Sequence, residues 1–254
     1  MNTHLAKVHK IHLANVVAAS LCRGALRLLL PRSRRLSAVA TTLFATALGG
    51  IAPGLARADI INISPIKDNT LDEYNPTEGD LSNALGFHFF AGATGTSELR
   101  RGVLAFDIAG SIPAGSTILG VTLSLNMSRT ALTTPRTVEL HQLLADWGEG
   151  TSQASGEEGT GAPATPNDAT WRHRFFDTIF WTTEGGDFSA TVSASQSVGD
   201  VGMYTWSSSQ MIADVQSWLD NPGANFGWLV LGDESGAGTA KRFDTRERAP
   251  ARPC

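Results

Sequence analysis

The chain has 254 residues, of which 42% are hydrophobic and 17% charged, a composition that suits one or two compact domains. Its 26 Gly, 11 Pro and 2 Cys exclude the collagen-like, disulfide-rich and wholly disordered classes. The formal charge of -4 conceals an asymmetry, because residues 1–58 contain no Asp or Glu, whereas residues 59–254 contain all 24 acidic residues. A basic leader therefore precedes an acidic domain.

The leader contains the parts of a secretory signal peptide. An apolar run at 36–55 follows Arg34-Arg35 and is followed by Ala56-Arg57-Ala58. We expect cleavage after Ala58, so that residues 1–58 form a basic leader with a signal peptide and the mature protein is secreted by bacterial export. A retained anchor is the alternative, but Gly and Pro interrupt the run, which makes it a poor membrane-spanning helix. We expect the mature protein outside the cell or at the cell surface, with no membrane span.

Cysteine usage limits how the mature domain can be stabilised. Cys254 is the only cysteine after residue 58, so the mature chain cannot form an internal disulfide. Its stability must come from core packing, with a structural calcium ion as a possible addition. The remaining length is enough for a substantial core, and we expect a monomer.

The mature chain is dominated by strand patterns. Residues 120–127 alternate strictly between apolar and polar side chains, and residues 102–108 repeat the pattern. Because a short turn at 112–116 separates them, we expect these two strands to be neighbours. Further strands are predicted at 60–64, 87–91, 137–144, 188–193, 202–206 and 226–231. Many short strands without interleaved helices indicate an all-β fold, an antiparallel β-sandwich or jelly roll.

Two segments depart from the strand pattern. At 208–220, apolar residues recur at helical spacing, with serine at the start and Asn221-Pro222-Gly223 at the end, which predicts one short amphipathic helix. Residues 148–168 are rich in Gly, Ser and Glu and lack large apolar side chains, which predicts a long surface loop. Strand patterns continue on both sides of this loop, so 59–254 is expected to be a single domain.

Several local motifs occur in an order that resembles the DNRLRE domain family of secreted bacterial β-sandwich proteins. They are Arg100-Arg101-Gly102-Val103-Leu104-Ala105-Phe106-Asp107, Ile112-Pro113-Ala114-Gly115, Asp146-Trp147-Gly148-Glu149-Gly150, Ala169-Thr170-Trp171, Tyr204-Thr205-Trp206, Asp214-Val215-Gln216-Ser217-Trp218, Asn225-Phe226-Gly227-Trp228 and Phe243-Asp244-Thr245-Arg246-Glu247. The resemblance implies a non-catalytic jelly-roll module similar to some carbohydrate-binding modules, including ones that recognise acidic polysaccharides. It also implies a final apolar strand after Arg252-Pro253, so we expect a chain that stops at Cys254 to lack its last strand.

Tryptophans beside the long loop are the candidates for polysaccharide contact, because a flat indole stacks on sugar rings. We select Trp147, Trp171 and Trp181, with Arg172 and Arg174 supplying positive charge. The alternative is that these large aromatic side chains cap the core, which is also the role that we predict for Trp218 and Trp228. Other basic clusters, such as Arg100-Arg101 and Lys241-Arg242 with Arg246, are expected either to contribute charge or to pair with nearby carboxylates.

Loop carboxylates make a calcium site plausible, because calcium takes six to eight oxygen ligands. No EF-hand pattern occurs, so spacing does not assign the ligands, and each candidate has the alternative of being a solvated loop carboxylate. The candidates are Asp68, Asp72, Glu73, Asp187 and Asp233.

The function classes that remain are binding, structure and catalysis. Our leading hypothesis is a secreted, non-catalytic module that binds polysaccharide, and the alternative is a structural or adhesion protein without a glycan ligand. A polysaccharide lyase or hydrolase is a third hypothesis, with His173, Arg174 and Tyr204 as nominees, although the sequence contains no catalytic constellation. No basic stripe predicts nucleic-acid binding.

Overall fold

The computed structural model describes the backbone of residues 10–17 and residues 58–248, and the signal-peptide run 36–55 and Cys254 lie outside these ranges. Within them the strands are β1 (Lys10–Val17), β2 (Ala58–Ile63), β3 (Pro65–Asp72), β4 (Leu81–Ser82), β5 (His88–Ala93), β6 (Leu99–Phe106), β7 (Thr117–Ile118), β8 (Thr122–Thr130), β9 (Arg136–Leu143), β10 (Ala162–Pro163), β11 (His173–Phe175), β12 (Ile179–Phe180), β13 (Phe188–Val198), β14 (Gly202–Trp206), β15 (Trp228–Leu231) and β16 (Lys241–Asp244). The helices are α1 (Ile108–Ser111) and α2 (Ser209–Asp220), and a 3₁₀ turn follows at Pro222–Ala224.

One curled antiparallel sheet supplies both layers of a sandwich. Its strand order is β13-β9-β15-β6-β5-β16-β8-β1-β2, with β3 paired to β6, β14 to β8 and β7 to β1. Strand β5 pairs with β16 through His88–Ala91 and with β6 through Gly92–Ala93. Gly92 has a φ of 116°, which L side chains rarely adopt, and this bend lets β5 leave one layer and join the other.

The main core lies between the two layers and is closed by helix α2. It contains alternate side chains of β6, β9 and β15 on one side and of β5, β8, β14 and β16 on the other. Leu123, Leu125 and Met127 of β8 are all fully buried, as their period of two predicts. Ser208 caps α2 by accepting a hydrogen bond from the Met211 amide, and the helix buries Trp218 against Trp228 with ring centroids 4.6 Å apart.

The predicted fold class, an all-β antiparallel sandwich with one short helix near 208–220, is confirmed. Each predicted strand overlaps an observed one, whereas β1, β3, β16 and the short strands β4, β7, β10, β11 and β12 were not predicted. The expectation that 102–108 and 120–127 are neighbours is wrong, because β6 pairs with β3, β5 and β15 and β8 pairs with β1, β14 and β16. The connection through α1 carries the chain from one layer to the other, so the two apolar faces meet across the core instead of side by side.

The layer that contains β6 is covered on both faces. Val103, Ala105 and Leu229 point away from the main core and form a second apolar cluster with side chains from the 143–188 region. A strand that is buried on both faces reads as a continuous apolar run, as Gly102–Phe106 does. The loops after β9 therefore serve as a third layer over this half of the sandwich.

Candidate functional site

The three tryptophans that the sequence nominated for ligand contact are core residues of this third layer. Trp147, Trp171 and Trp181 are at most 7% exposed and belong to the second apolar cluster. The Trp147 indole N–H donates to the Phe226 carbonyl and that of Trp181 to the Thr170 carbonyl, both at 2.9 Å. Buried indoles with satisfied N–H groups cover the outer face of β6 and β15, and they offer no open ring face to a sugar.

The two nominated arginines lie near each other but have different surroundings. Arg172 stacks on the Tyr74 ring, with its guanidinium carbon 3.6 Å from the ring centroid, and its Nε donates to Asp80 at 3.1 Å. Arg174 donates to the Asp146 carbonyl at 3.3 Å and lies over Phe175. Arg172 is therefore fixed on two sides, by an aromatic ring and by a carboxylate, which is a preorganised arrangement.

The Arg172–Asp80 pair is ionised over a wide pH range. Burial opposes ionisation of Asp80, but the hydrogen bonds and charge of Arg172 outweigh it and lower the pKa of the carboxyl. The hydrogen bonds to Asp80 raise the pKa of Arg172. His173 contacts the same carboxylate, with 3.3 Å between Nδ1 and Asp80 Oδ1.

The neighbouring hairpin presents an exposed aromatic ring. Strands β11 and β12 pair His173 with Phe180, and the two rings stack with centroids 4.1 Å apart. His173 is buried, whereas Phe180 is 60% exposed. We call the exposed Phe180 ring and the partly exposed Tyr74 and Arg172, together with the covered Asp80 and His173 that support them, the hairpin face.

The sequence pattern pointed to Arg172 of this surface and to its buried neighbour Trp181, but not to Phe180, Tyr74 or Asp80. Trp181 follows Phe180 directly, and adjacent residues of an extended segment point to opposite sides. One of the two aromatic rings had to face the core, and the larger one does. The alternation could have indicated Phe180, whereas Tyr74 and Asp80 come from a distant segment that no local pattern connects to the hairpin.

The five candidate calcium ligands do not come together. Asp68 and Asp72 are buried beside arginines, and Glu73 accepts the Leu99 amide at 2.7 Å. Asp187 accepts the amides of Thr182 and Thr183, and Asp233 pairs with Arg136 at 3.2 Å. The part of the chain that the structure describes has no group of three or more His, Cys, Asp or Glu suited to a metal ion. These five carboxylates therefore do not fit a single calcium site.

Two sequence motifs that are far apart in the chain meet in a buried charge network. Arg246 makes a bidentate contact with Glu149, at 2.6 Å from Nη1 and 2.5 Å from Nη2, and its amide donates to Asp68 at 3.2 Å. Burial, reinforced by the charge of Glu247, raises the pKa of Asp68 well above its usual value although Arg246 opposes this. The network connects β3, the loop after β9 and the segment after β16. The buried Asp68 carboxylate therefore has a structural role.

The residues nominated for catalysis have separate partners. His173 lies under Phe180, whereas Tyr204 of β14 donates to the Asp200 carbonyl at 2.7 Å. Arg174 contacts Asp146. Each of these three side chains is thus engaged in its own local contact, with different partner groups.

Comparison with known proteins leaves the geometry as the basis for function. No family model and no curated protein matches the sequence. Among the described residues, no helix is long and apolar enough to cross a membrane. The function must therefore be inferred from the chemistry of the hairpin face.

Proposed function

We propose that the protein is a non-catalytic β-sandwich module that binds polysaccharide at the hairpin face. One observation carries this proposal: the Phe180 ring is 60% exposed and packs against the buried His173 ring, with centroids 4.1 Å apart. A ligand that covers this ring gains free energy in proportion to the apolar area that it removes from water. Sugar rings present apolar C–H faces that stack on such a surface.

The polar side chains of the same surface suit the rest of a sugar. Arg172, whose side chain is 29% exposed, has N–H donors in a fixed plane beyond those that it gives to Asp80, so sugar oxygens can accept hydrogen bonds from it. Because Tyr74 and Asp80 already hold Arg172, little side-chain entropy remains to be lost on binding. The resemblance to DNRLRE modules supports the same function.

The test is retention of the full chain on a panel of immobilised neutral and acidic polysaccharides, with and without calcium, while the mixtures are monitored for cleavage products. We expect retention without products. Phe180→Ala should weaken retention about tenfold or more, which corresponds to the roughly 1.5–3 kcal/mol gained when a Phe side chain is covered. Ile179→Ala removes a neighbouring exposed apolar side chain and is the matched control, for which we expect unchanged retention.

Each other outcome contradicts a part of the proposal. Equal retention of a folded Phe180→Ala variant and the wild type would remove the hairpin face as the site. Formation of products would replace the binding module by an enzyme. No retention on any polysaccharide would contradict glycan binding itself.

A second candidate function is a structural or adhesion protein with no glycan ligand. The observation that favours it is the burial of all six tryptophans, which leaves no indole for stacking on a sugar. This hypothesis predicts that wild type and Phe180→Ala behave alike on every polysaccharide. The retention experiment therefore separates the two functions.

A further inference from the structure

The buried charge network connects β3 and the loop after β9 with residues 245–248, which we call segment 245–248. It contains three carboxylates and one arginine. Glu149 accepts hydrogen bonds from both terminal nitrogens of Arg246, so these two charges balance each other. Asp68 and Glu247 also contact this guanidinium, at 3.4 Å from Nη1 and 2.8 Å from Nη2. Full ionisation of the three carboxylates would therefore leave two uncompensated negative charges within the network.

Two carboxylate oxygens of this network are buried without a hydrogen-bond partner, namely Asp68 Oδ1 and Glu247 Oε2. Asp68 is fully buried, and its Oδ2 accepts the Arg246 amide at 3.2 Å. Buried polar atoms nearly always have partners, and two ionised carboxylates can only accept hydrogen bonds. A proton on one of these oxygens supplies the missing donor and removes one of the uncompensated charges.

The charged groups around these two carboxyls favour the protonated form. Burial and then the charge of Glu247 raise the pKa of Asp68, and Glu149 adds to this while Arg246 opposes it. Burial also raises the pKa of Glu247, again against the charge of Arg246. Both shifts have the direction that a proton held between the two carboxyls requires.

A further titratable group, His88 of β5, contacts segment 245–248 through Arg248, with 2.8 Å between Nε2 and Nη1. Burial, and then the charge of Arg242, lower the pKa of the His88 ring, although Glu158 and Asp244 oppose this. A proton that His88 gains at low pH places a like charge beside Arg248 and loosens the segment. The effect of His88 therefore has the opposite sign to that of a proton on the carboxyl pair.

The backbone of segment 245–248 bonds to the carboxyl pair through the Arg246 amide, which donates to Asp68. The preceding residue, Thr245, bonds instead to the loop between β4 and β5. Its amide donates to the Phe87 carbonyl at 3.0 Å, and its hydroxyl donates to the Gly86 carbonyl at 2.7 Å. Because these carbonyls are neutral, the bonds of Thr245 do not depend on the proton, and the Arg246 amide reports the state of the pair.

We propose that Asp68 and Glu247 share one proton in the folded protein, and that loss of this proton releases segment 245–248 from β3 and the loop after β9. Without the proton, β3 and the segment each contribute a buried negative charge, and separation returns both charges to water. Because the pair binds the proton more tightly when the segment is docked, docking is complete at low pH and is lost as the pH rises. None of these residues belongs to the hairpin face, so the proposal does not depend on glycan binding.

The experiment measures backbone amide hydrogen exchange of the full-length protein by nuclear magnetic resonance between roughly pH 6 and pH 9. The protection of each amide is corrected for the intrinsic pH dependence of exchange. We expect the protection of the Arg246 amide to fall by up to about tenfold for each pH unit, which is the slope for loss of one proton. The Leu229 amide of the central strand β15 reports opening of the whole domain, so the difference between the two amides measures release of the segment.

Two neutral variants test the role of the proton. Glu247→Gln supplies a permanent, uncharged donor in place of the shared proton, so its Arg246 amide should stay protected across the whole pH range. Asp68→Asn makes the same change on the buried partner and should behave alike. Glu78→Gln removes an exposed carboxylate outside the network, so this control should keep the pH dependence of the wild type.

Three results would overturn the proposal. The first is a Glu247→Gln variant whose Arg246 amide keeps the wild-type pH dependence. The second is a wild-type protein whose Arg246 protection is constant or falls on lowering the pH, since the latter would assign the effect to His88. The third is recovery of protection at high pH on addition of calcium, which would show that a cation and not a proton lies between the carboxyls.

Discussion

At the scale of single residues, the described domain buries charged groups that look exposed in the sequence. The sequence predicts that Lys241, beside Arg242, contributes surface charge or pairs with a carboxylate. In the structure Lys241 is fully buried and donates to the Leu132 carbonyl at 2.6 Å and to Thr130 Oγ1 at 3.0 Å. Burial lowers the pKa of its ammonium group. Arg100 is also buried and pairs with Asp72 across β3 and β6, with 2.5 Å between Nε and Oδ1. Arg100 therefore pairs with a nearby carboxylate, whereas the ammonium group of Lys241 donates its hydrogen bonds to neutral oxygen atoms.

Asp72 should make stability depend on pH. Burial, only partly offset by Arg100, raises the pKa of Asp72 from 3.8 to about 6. The folded state then binds more protons than the unfolded state between these values, so the stabilisation is fully present below the unfolded pKa and is lost as pH rises through about 6. We expect the free energy of unfolding of the wild type, relative to Asp72→Asn, to fall by about 2–3 kcal/mol between roughly pH 4 and pH 7.

Urea denaturation of both proteins across this pH range measures the effect. Glu184→Gln, which removes an exposed carboxylate, is the control and should follow the wild type. A constant difference between wild type and Asp72→Asn at all pH values would contradict the raised pKa.

At the scale of elements, helix α2 is joined to the sheet by a buried carboxylate on its apolar face. Asp214 Oδ2 accepts hydrogen bonds from Ser193 Oγ at 2.5 Å and from the Trp228 indole N–H at 2.9 Å. Its Oδ1 accepts from the Gln210 side chain, one turn earlier. The helix therefore connects to β13 and β15 through directed bonds as well as through apolar packing.

Removal of this acceptor should destabilise the domain strongly. Asp214→Ala leaves the donors of Ser193 and Trp228 buried without partners, which costs about 2–4 kcal/mol in free energy of unfolding. Asp220→Ala, at the exposed end of the same helix, is the control and should cost less than about 0.5 kcal/mol. Equal losses for the two variants in urea denaturation would contradict the role of Asp214.

At the scale of the whole molecule, the main consequence of the fold is that one layer is covered twice. The main core shields its inner face and the 143–188 region shields its outer face, so the aromatic residues of that region have a packing role. All six tryptophans are enclosed by this arrangement.

Fluorescence quenching can test this enclosure. We expect iodide to quench the tryptophan fluorescence of the native protein several-fold less than that of the protein unfolded in guanidinium chloride, because a charged quencher cannot enter a packed apolar core. Phe180→Ala should not change native quenching, since Phe180 lies on the surface. Strong native quenching would contradict the placement of Trp147, Trp171 and Trp181 in the third layer.

The sequence by itself determined the local elements and the fold class. Strand β8 and helix α2 are predicted by apolar residues that recur with periods of two and 3.6. One side of each element must face the core, so the pattern can be recognised within one short segment of sequence. The turn residues around them indicated many short strands and hence an antiparallel sandwich. Strands β3 and β16 were not predicted, because buried Asp68, Asp72 and Lys241 interrupt their apolar pattern.

Only the tertiary structure decided which strands pair and which side chains reach the surface. Strands β6 and β8 have similar patterns, yet they lie in opposite layers. Alternation shows which side chains of a strand face the core, but it does not show which strand pairs with it. The exposure of Phe180, the burial of Trp181 and the meeting of Arg172 with Tyr74 and Asp80 depend on segments about a hundred residues apart. The alternation of neighbouring residues could indicate that Phe180 and Trp181 face opposite sides, but contacts between segments so far apart are set by the packing of the whole chain.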